Sequence, residues 1–188
     1  MADLQKALSQ EEMDDIIYEA RVGDLDSLKE IFEKHVDPQT LLTIKDEYTL
    51  ATPIHMAAAN GHDQVCQYLL RLLSKSDAQN LVNKQNESGN TALHWAAYNG
   101  HTETIKVLCE FGADPFLKNK FNHDAIYEAE KNNKSEVEKY FLERFDIQQD
   151  DDEPAQKVQY KEGTEIEKAT EESRQVENIS KGLKATQL

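Results

Sequence analysis

The side chains best suited to chemistry here are six histidines, two cysteines and a large stock of carboxylates, 36 Asp and Glu against 21 Lys and Arg. Histidine can move a proton near neutrality or ligate a metal, but either task needs partners at fixed spacing. His55 and His94 each close a Thr-x-x-His string, and His62 and His101 each follow a glycine. Such repetition assigns all four a recurring structural task and leaves only His35 and His123 apart. No H-E-x-x-H, C-x-x-C or glycine-rich phosphate loop is present. Cys66 and Cys109 lie in apolar runs, which reads as buried structural thiols rather than a redox pair. The carboxylates are scattered over the chain. No catalytic, cofactor-binding or metal-ligating residue is therefore assigned, and the chain is expected not to be an enzyme.

The histidines instead mark repeating helices. Gly89-Asn90-Thr91-Ala92-Leu93-His94-Trp95-Ala96-Ala97-Tyr98-Asn99-Gly100-His101 has an earlier near-copy in Thr52-Pro53-Ile54-His55-Met56-Ala57-Ala58-Ala59-Asn60-Gly61-His62. Thr52 and Thr91 sit where a turn becomes a helix and can cap free N–H groups. Pro53 suits the first helical position, where its missing N–H costs nothing. Ile54 and Leu93 point into a core, and Ala57, Ala58, Ala96 and Ala97 let paired helices approach closely. Gly61 and Gly100 end the helix in a left-handed conformation. A second apolar helix follows each, at residues 65–70 and 105–109. This is the pattern of ankyrin repeats, an all-α solenoid of about four stacked helix pairs with short β-turn tips.

Two degenerate copies flank the clear ones. Upstream, Ile16-Ile17-Tyr18-Glu19-Ala20-Arg21-Val22-Gly23-Asp24 keeps the alanine and the terminal glycine, with Leu28, Ile31 and Phe32 supplying its second helix. Downstream, Asp124-Ala125-Ile126-Tyr127-Glu128-Ala129-Glu130 precedes Val137, Tyr140, Phe141 and Leu142. Asp124 replaces the threonine there, and Asn133 stands at the glycine position as the next-best left-handed residue. Polar replacements suit terminal repeats, whose outer faces meet water. The helix-ending residues Gly23, Gly61, Gly100 and Asn133 are 38, 39 and 33 apart. The last interval equals the ankyrin period of about 33. The longer two imply insertions of roughly five or six residues near 37–48 and 74–81, either tolerated loops or specificity elements. The predicted organisation is an ankyrin domain at 1–145, with a capping repeat at 14–34, repeats at 52–73 and 86–112, and a capping repeat at 119–145. An acidic, mostly disordered tail is expected at 146–188.

Net charge is −15. Residues 1–145 carry 25 acidic and 15 basic side chains, and residues 146–188 carry 11 and 6. An acidic surface disfavours direct contact with nucleic acid or anionic membrane. It favours a basic partner through long-range attraction, or simply aids solubility. Asp150-Asp151-Asp152-Glu153-Pro154 reads as a disordered linker. Beyond it, Ile166, Ala169, Val176, Ile179 and Leu183 recur at roughly helical spacing, a helix formed only on a partner or no helix at all. The polar start, with Leu4, Ala7 and Leu8, either packs on the first repeat or stays loose. No secretory signal or membrane span of ~20 apolar residues is read. The sequons at Asn86, Asn133 and Asn178 are then coincidental, and an intracellular, monomeric protein is expected.

A partner is expected on the concave face, built from turn tips and the exposed positions of first helices. The candidates are Tyr18, Arg21, Met56, Asn60, Glu87, Trp95, Tyr98, Asn99, Lys120, Phe121 and Lys131. Trp95 is the sole tryptophan, at a position the repeat leaves variable, with Tyr98 less than a turn away. It is either a binding hot spot or a core residue wedged between helices. Glu19, Asp24, Asp26, Glu87 and Glu128 are placed to frame these aromatics, giving an apolar groove with an acidic rim suited to a basic amphipathic helix.

Features beyond the generic repeat carry a narrower resemblance. They are Glu19-Ala20-Arg21-Val22-Gly23-Asp24-Leu25-Asp26-Ser27-Leu28-Lys29, Ala113-Asp114-Pro115-Phe116, Asn119-Lys120-Phe121, His123-Asp124-Ala125-Ile126, Tyr140-Phe141-Leu142 and, in the tail, Gly163-Thr164-Glu165-Ile166-Glu167. Over nearly the whole chain the sequence resembles the fungal ankyrin-repeat chaperones dedicated to the small-subunit ribosomal protein S-three. The resemblance implies a non-catalytic protein that binds the newly made ribosomal protein, keeps it soluble and accompanies it to ribosome assembly, with a cytoplasmic and nuclear location. The insertions and the tail beyond Glu167 match loosely. The alternative is a regulatory ankyrin adaptor masking a transcription or signalling protein.

Overall fold

The computed structural model describes residues 8–145. Among them the chain forms nine α-helices, one 3-10 helix and no strand. Four helix pairs follow in order: α1 (Gln10–Val22) with α2 (Leu25–Lys34), α3 (Pro53–Ala59) with α4 (Asp63–Arg71), α6 (Ala92–Asn99) with α7 (Thr102–Glu110), and α8 (Ala125–Lys131) with α9 (Ser135–Phe145). The first helices form one row, α1 on α3, α3 on α6 and α6 on α8; in the second row α2 touches α4, α4 packs on α7 and α7 on α9. Ala20, Ala57, Ala58, Ala96, Ala97 and Ala129 are fully buried in the first row, where a larger side chain would push neighbouring helices apart. Leu28, Leu69, Leu93, Leu108, Val137 and Phe141 are fully buried as well. Each contributes on the order of 2 kcal/mol of burial free energy.

Histidines tie the stack together. The His55 Nδ1 accepts from the Thr52 amide at 3.2 Å and lies 2.9 Å from the Thr52 hydroxyl, while Nε2–H donates to the Asn90 carbonyl of the next repeat at 3.0 Å. His94 copies this with Thr91 at 3.1 and 2.8 Å, and with the His123 carbonyl at 3.1 Å. Both imidazoles are thus the Nε2–H tautomer. Each ring takes the amide of its threonine in a capping-box arrangement, with histidine as the reciprocal half. His62 and His101 reach backwards instead, donating through Nε2 to the Arg21 carbonyl at 3.0 Å and the Ala59 carbonyl at 3.1 Å. Their rings fill the space beside Gly23 and Gly61; a Cβ on Gly61, at φ 77°, would stand 2.7 Å from His101 Nδ1.

The two insertions are not plain connections. The second is a helix of its own, α5 (Lys75–Val82), started by Ser74, whose Oγ accepts the Asp77 amide at 3.2 Å. It buries Ala78, Leu81 and Val82. The first holds the 3-10 helix Pro38–Leu42, capped by Asp37 Oδ1 on the Gln39 amide at 2.9 Å, and buries Leu41 and Ile44 completely. Both insertions therefore enlarge the core, which their scattered apolar residues alone did not announce. Asn133 is left-handed at φ 56°, as expected from its glycine position. Leu50 at φ 57° was not expected: it occupies the turn position held by Gly89 at φ 78° and Asn122 at φ 62°. The expectations for the tail at 146–188, and for Leu4 and Ala7, lie outside the described residues.

Candidate partner-binding face

Turn tips and first helices build one face. The tips are joined through the backbone: the Glu87 N–H donates to the Thr49 carbonyl at 2.8 Å and the Lys120 N–H to the Ser88 carbonyl at 3.0 Å. Asparagines shape each tip from within. Asn86 Oδ1 accepts from the Ser88 and Asn90 amides at 3.0 and 2.9 Å, and Asn119 Oδ1 from the Phe121 and His123 amides at 2.9 and 3.0 Å. Such Asx turns fix the tip conformation, and the second of them holds Phe121 out into solvent, 69% exposed. On the helices, the Asn99 amide donates to the Trp95 and Ala59 carbonyls at 3.1 and 2.9 Å, and the Asn60 amide to the Met56 carbonyl at 2.8 Å.

Trp95 divides this face into two depressions. One, of about 380 Å³, is lined by Arg21, His55, Met56, Ala59, Asn60, Trp95 and Asn99. The other, of about 320 Å³, is lined by Asn90, His94, Trp95, Tyr98, Asn119, Phe121 and Glu128. The Trp95 indole is half-buried between helices, its Nε1 buried with no hydrogen-bond partner among the described residues, yet it walls both depressions. An unpaired buried donor costs about 1–3 kcal/mol.

Of the residues predicted for the face, Arg21, Met56, Asn60, Trp95, Tyr98, Asn99 and Phe121 come together here. Tyr18, Glu87, Lys120 and Lys131 line neither depression. Tyr18 lies on α1 at 59% exposure, Glu87 and Lys120 stand exposed on the tips, and Lys131 turns its ammonium over the Tyr127 ring at 5.6 Å. Of the acidic frame, only Glu128 enters a depression. Asp24 instead caps α2, and the Ser27 amide at 2.9 Å holds its carboxyl below the usual range. Asp26 pairs with Lys29 at 3.5 Å on the surface. Sequence reasoning passed over Asn119 as a lining residue; its recurrence 33 positions after Asn86 was the available signal. His94, which ties neighbouring repeats, is also a wall of the depression that Glu128 enters.

The electrostatics of the smaller depression centre on Glu128. Its carboxylate is mostly buried and accepts from His123 Nδ1–H at 3.1 Å through Oε1, and the His123 ring stacks on Tyr127 with centroids 4.0 Å apart. Burial lowers the pKa of His94, and burial pushes His55 down to about 4. Both are neutral at pH 7, with both ring nitrogens of each engaged in hydrogen bonds. Among the described residues no group of three His, Cys, Asp or Glu is placed to hold a metal ion, and no helix is long and apolar enough to cross a membrane. Cys66 and Cys109 are free and buried, and burial pushes both thiols up, away from the reactive thiolate.

Known proteins place this architecture. The family profile for ankyrin repeats (3 copies) matches residues 16–119. The Saccharomyces cerevisiae ankyrin repeat-containing protein YAR1 is 48% identical over 177 residues, 88% of each chain. The Schizosaccharomyces pombe ankyrin repeat-containing protein P16F5.05c is 44% identical over 136 residues, 72% of this chain and 87% of that one. In the crystal structure of the yeast ribosomal protein Rps3 in complex with its chaperone Yar1, the matched chain aligns with a TM-score of 0.73 and 51% identity, covering 77% of this chain and all of that one. The helix pairs, the histidine struts and this likeness over most of the length agree: the chain belongs to the ankyrin-repeat family, on the branch that holds yeast Yar1.

Proposed function

We propose that this protein is a non-catalytic chaperone of the small-subunit ribosomal protein Rps3, shielding the newly made protein and keeping it soluble for nuclear delivery and small-subunit assembly. The observation that carries this is the likeness to Yar1, at about half identity over most of both chains, in a structure where Yar1 is bound to Rps3 as its chaperone. The physics agrees. An RNA-binding ribosomal protein is basic, and without RNA its positive surface seeks stray polyanions and aggregates; a scaffold of net charge −15 attracts it over long range. The client is held by the concave face, with Trp95 and its neighbours as the central contacts. The protein works in both cytoplasm and nucleus, travelling with its cargo. No residue acts in catalysis.

The test is refolding of denatured Rps3 by dilution, with light scattering as readout. A stoichiometric amount of this chain should keep Rps3 soluble and elute with it as a one-to-one complex. Unchanged aggregation, with an unrelated acidic ankyrin protein performing as well, would contradict the assignment.

A further inference from the structure

The depression of about 320 Å³ is small for a ligand site, whose usual range begins near 300 Å³. It is sized for one side chain. Its walls are the rings of Trp95, Tyr98 and Phe121, and it contains one carboxylate, Glu128. The carboxylate is only 13% exposed, and its Oε1 is engaged by His123 at 3.1 Å, while Oε2 accepts from no described residue. The acceptors contributed by Asn90, Asn119 and His94 are already engaged: Asn90 Oδ1 takes the Asn119 amide at 2.7 Å, Asn119 Oδ1 takes two backbone amides, and His94 is used at both nitrogens. A mostly buried carboxylate with a spare oxygen, among aromatic faces, attracts a cation on two counts: direct charge and the negative ring faces. The nearby cation Lys131 is not in the depression but over Tyr127. A flat guanidinium suits this site better than an ammonium, because it can stack on a ring while its edge donates to Oε2.

We infer that the Trp95–Tyr98–Phe121–Glu128 depression is a specificity pocket that receives a single arginine side chain of the client. This rests on the chaperone reading for the identity of the client, but the pocket's chemistry can be tested apart from it. Arginine stacks between the rings, and its charge and one N–H are met by Glu128. The neighbouring depression beside Met56 and Asn60 has no carboxylate and takes the uncharged part of the same segment.

The experiment has two arms on the full chain. In the first, short acetylated peptides carrying one arginine, or citrulline as its neutral isostere, are titrated while the emission of Trp95, the only tryptophan, is followed. The arginine peptide should shift the emission and bind at least about tenfold more tightly than the citrulline peptide, and Glu128→Gln should erase the difference. Equal response to both peptides, or a preference that survives Glu128→Gln, would overturn the pocket. In the second arm, Rps3 binding is measured for the wild type, Glu128→Gln and Tyr98→Ala, with circular dichroism confirming that each is folded. A loss of about tenfold or more in both variants is expected; wild-type affinity in both would overturn the pocket's part in client binding. Failure of the wild type to bind Rps3, with arginine preference intact, would instead overturn the choice of client and leave the pocket standing.

Discussion

Acid should unfold this protein through its struts before it titrates its carboxylates. His55 is 1% exposed, and burial lowers its pKa from 6.5 to about 4. A protonated ring would also present Nδ1–H to the Thr52 amide, which is 3.2 Å away and itself a donor. The unfolded chain protonates such a histidine near 6.5. The unfolded state therefore binds more protons, and stability is full above pH 6.5 and falls as the pH drops towards 4. Between pH 7 and 5 the linkage relation gives a loss of about 2 kcal/mol from His55 alone. His94 is lowered by the same cause and adds in the same direction. The depressed carboxyls of Asp24, Glu30 and Asp46 have ordinary values of 3.8, 4.5 and 3.8, so they lose their contribution mainly below pH 5. The window from pH 7 to 5 is consequently the histidines' own. Urea unfolding followed by Trp95 fluorescence at several pH values in that window is the assay. His55→Gln should be less stable at pH 7, because it empties a strut between repeats, yet should lose about 2 kcal/mol less than wild type on going to pH 5. A wild-type stability that is flat across the window, or a variant with the wild-type slope, would refute the argument.

Other consequences follow from single residues. Leu50→Gly should stabilise the fold by about 0.5–1 kcal/mol, because relief of a left-handed leucine (about 1–2 kcal/mol) exceeds the added chain entropy of glycine; chemical denaturation reads it. Gly61→Ala should destabilise by about 2–3 kcal/mol, since the new methyl is both left-handed and within 2.7 Å of His101, whose bond to Ala59 must then break. Replacing Trp95 and Tyr98 together by alanine should weaken Rps3 binding by about 100-fold or more in calorimetry, as truncated hot-spot aromatics do; unchanged affinity would place the site elsewhere.

The repeat was legible because its residues have local tasks. Thr91 and His94 cap a helix, Gly100 ends it, and Ala96 and Ala97 admit the next helix, so spacing alone locates them. Asn133 could be read as left-handed for the same reason. Leu50 could not, since leucine carries no signal for a positive φ; only the stitched tips around it, with Asp46 accepting its amide at 3.1 Å, hold it there. Helix α5 was likewise hidden, because eight residues with three buried apolar side chains look like a polar loop until α4 supplies the surface they cover. On the candidate face, helix periodicity placed Met56, Trp95 and Tyr98 correctly on one side. It could not say that Lys131 would turn to Tyr127, or that of five framing carboxylates only Glu128 would reach the depression. Those outcomes depend on side-chain contacts across repeats, which one-dimensional spacing does not encode.

The central claim is tested most directly by affinity purification of the tagged chain from nuclease-treated extract, with quantitative mass spectrometry of the eluate. Rps3 is expected in near-equal amount, without the rest of the small subunit. A transcription or signalling protein in its place, with no ribosomal client, would contradict the chaperone assignment and leave only the ankyrin scaffold.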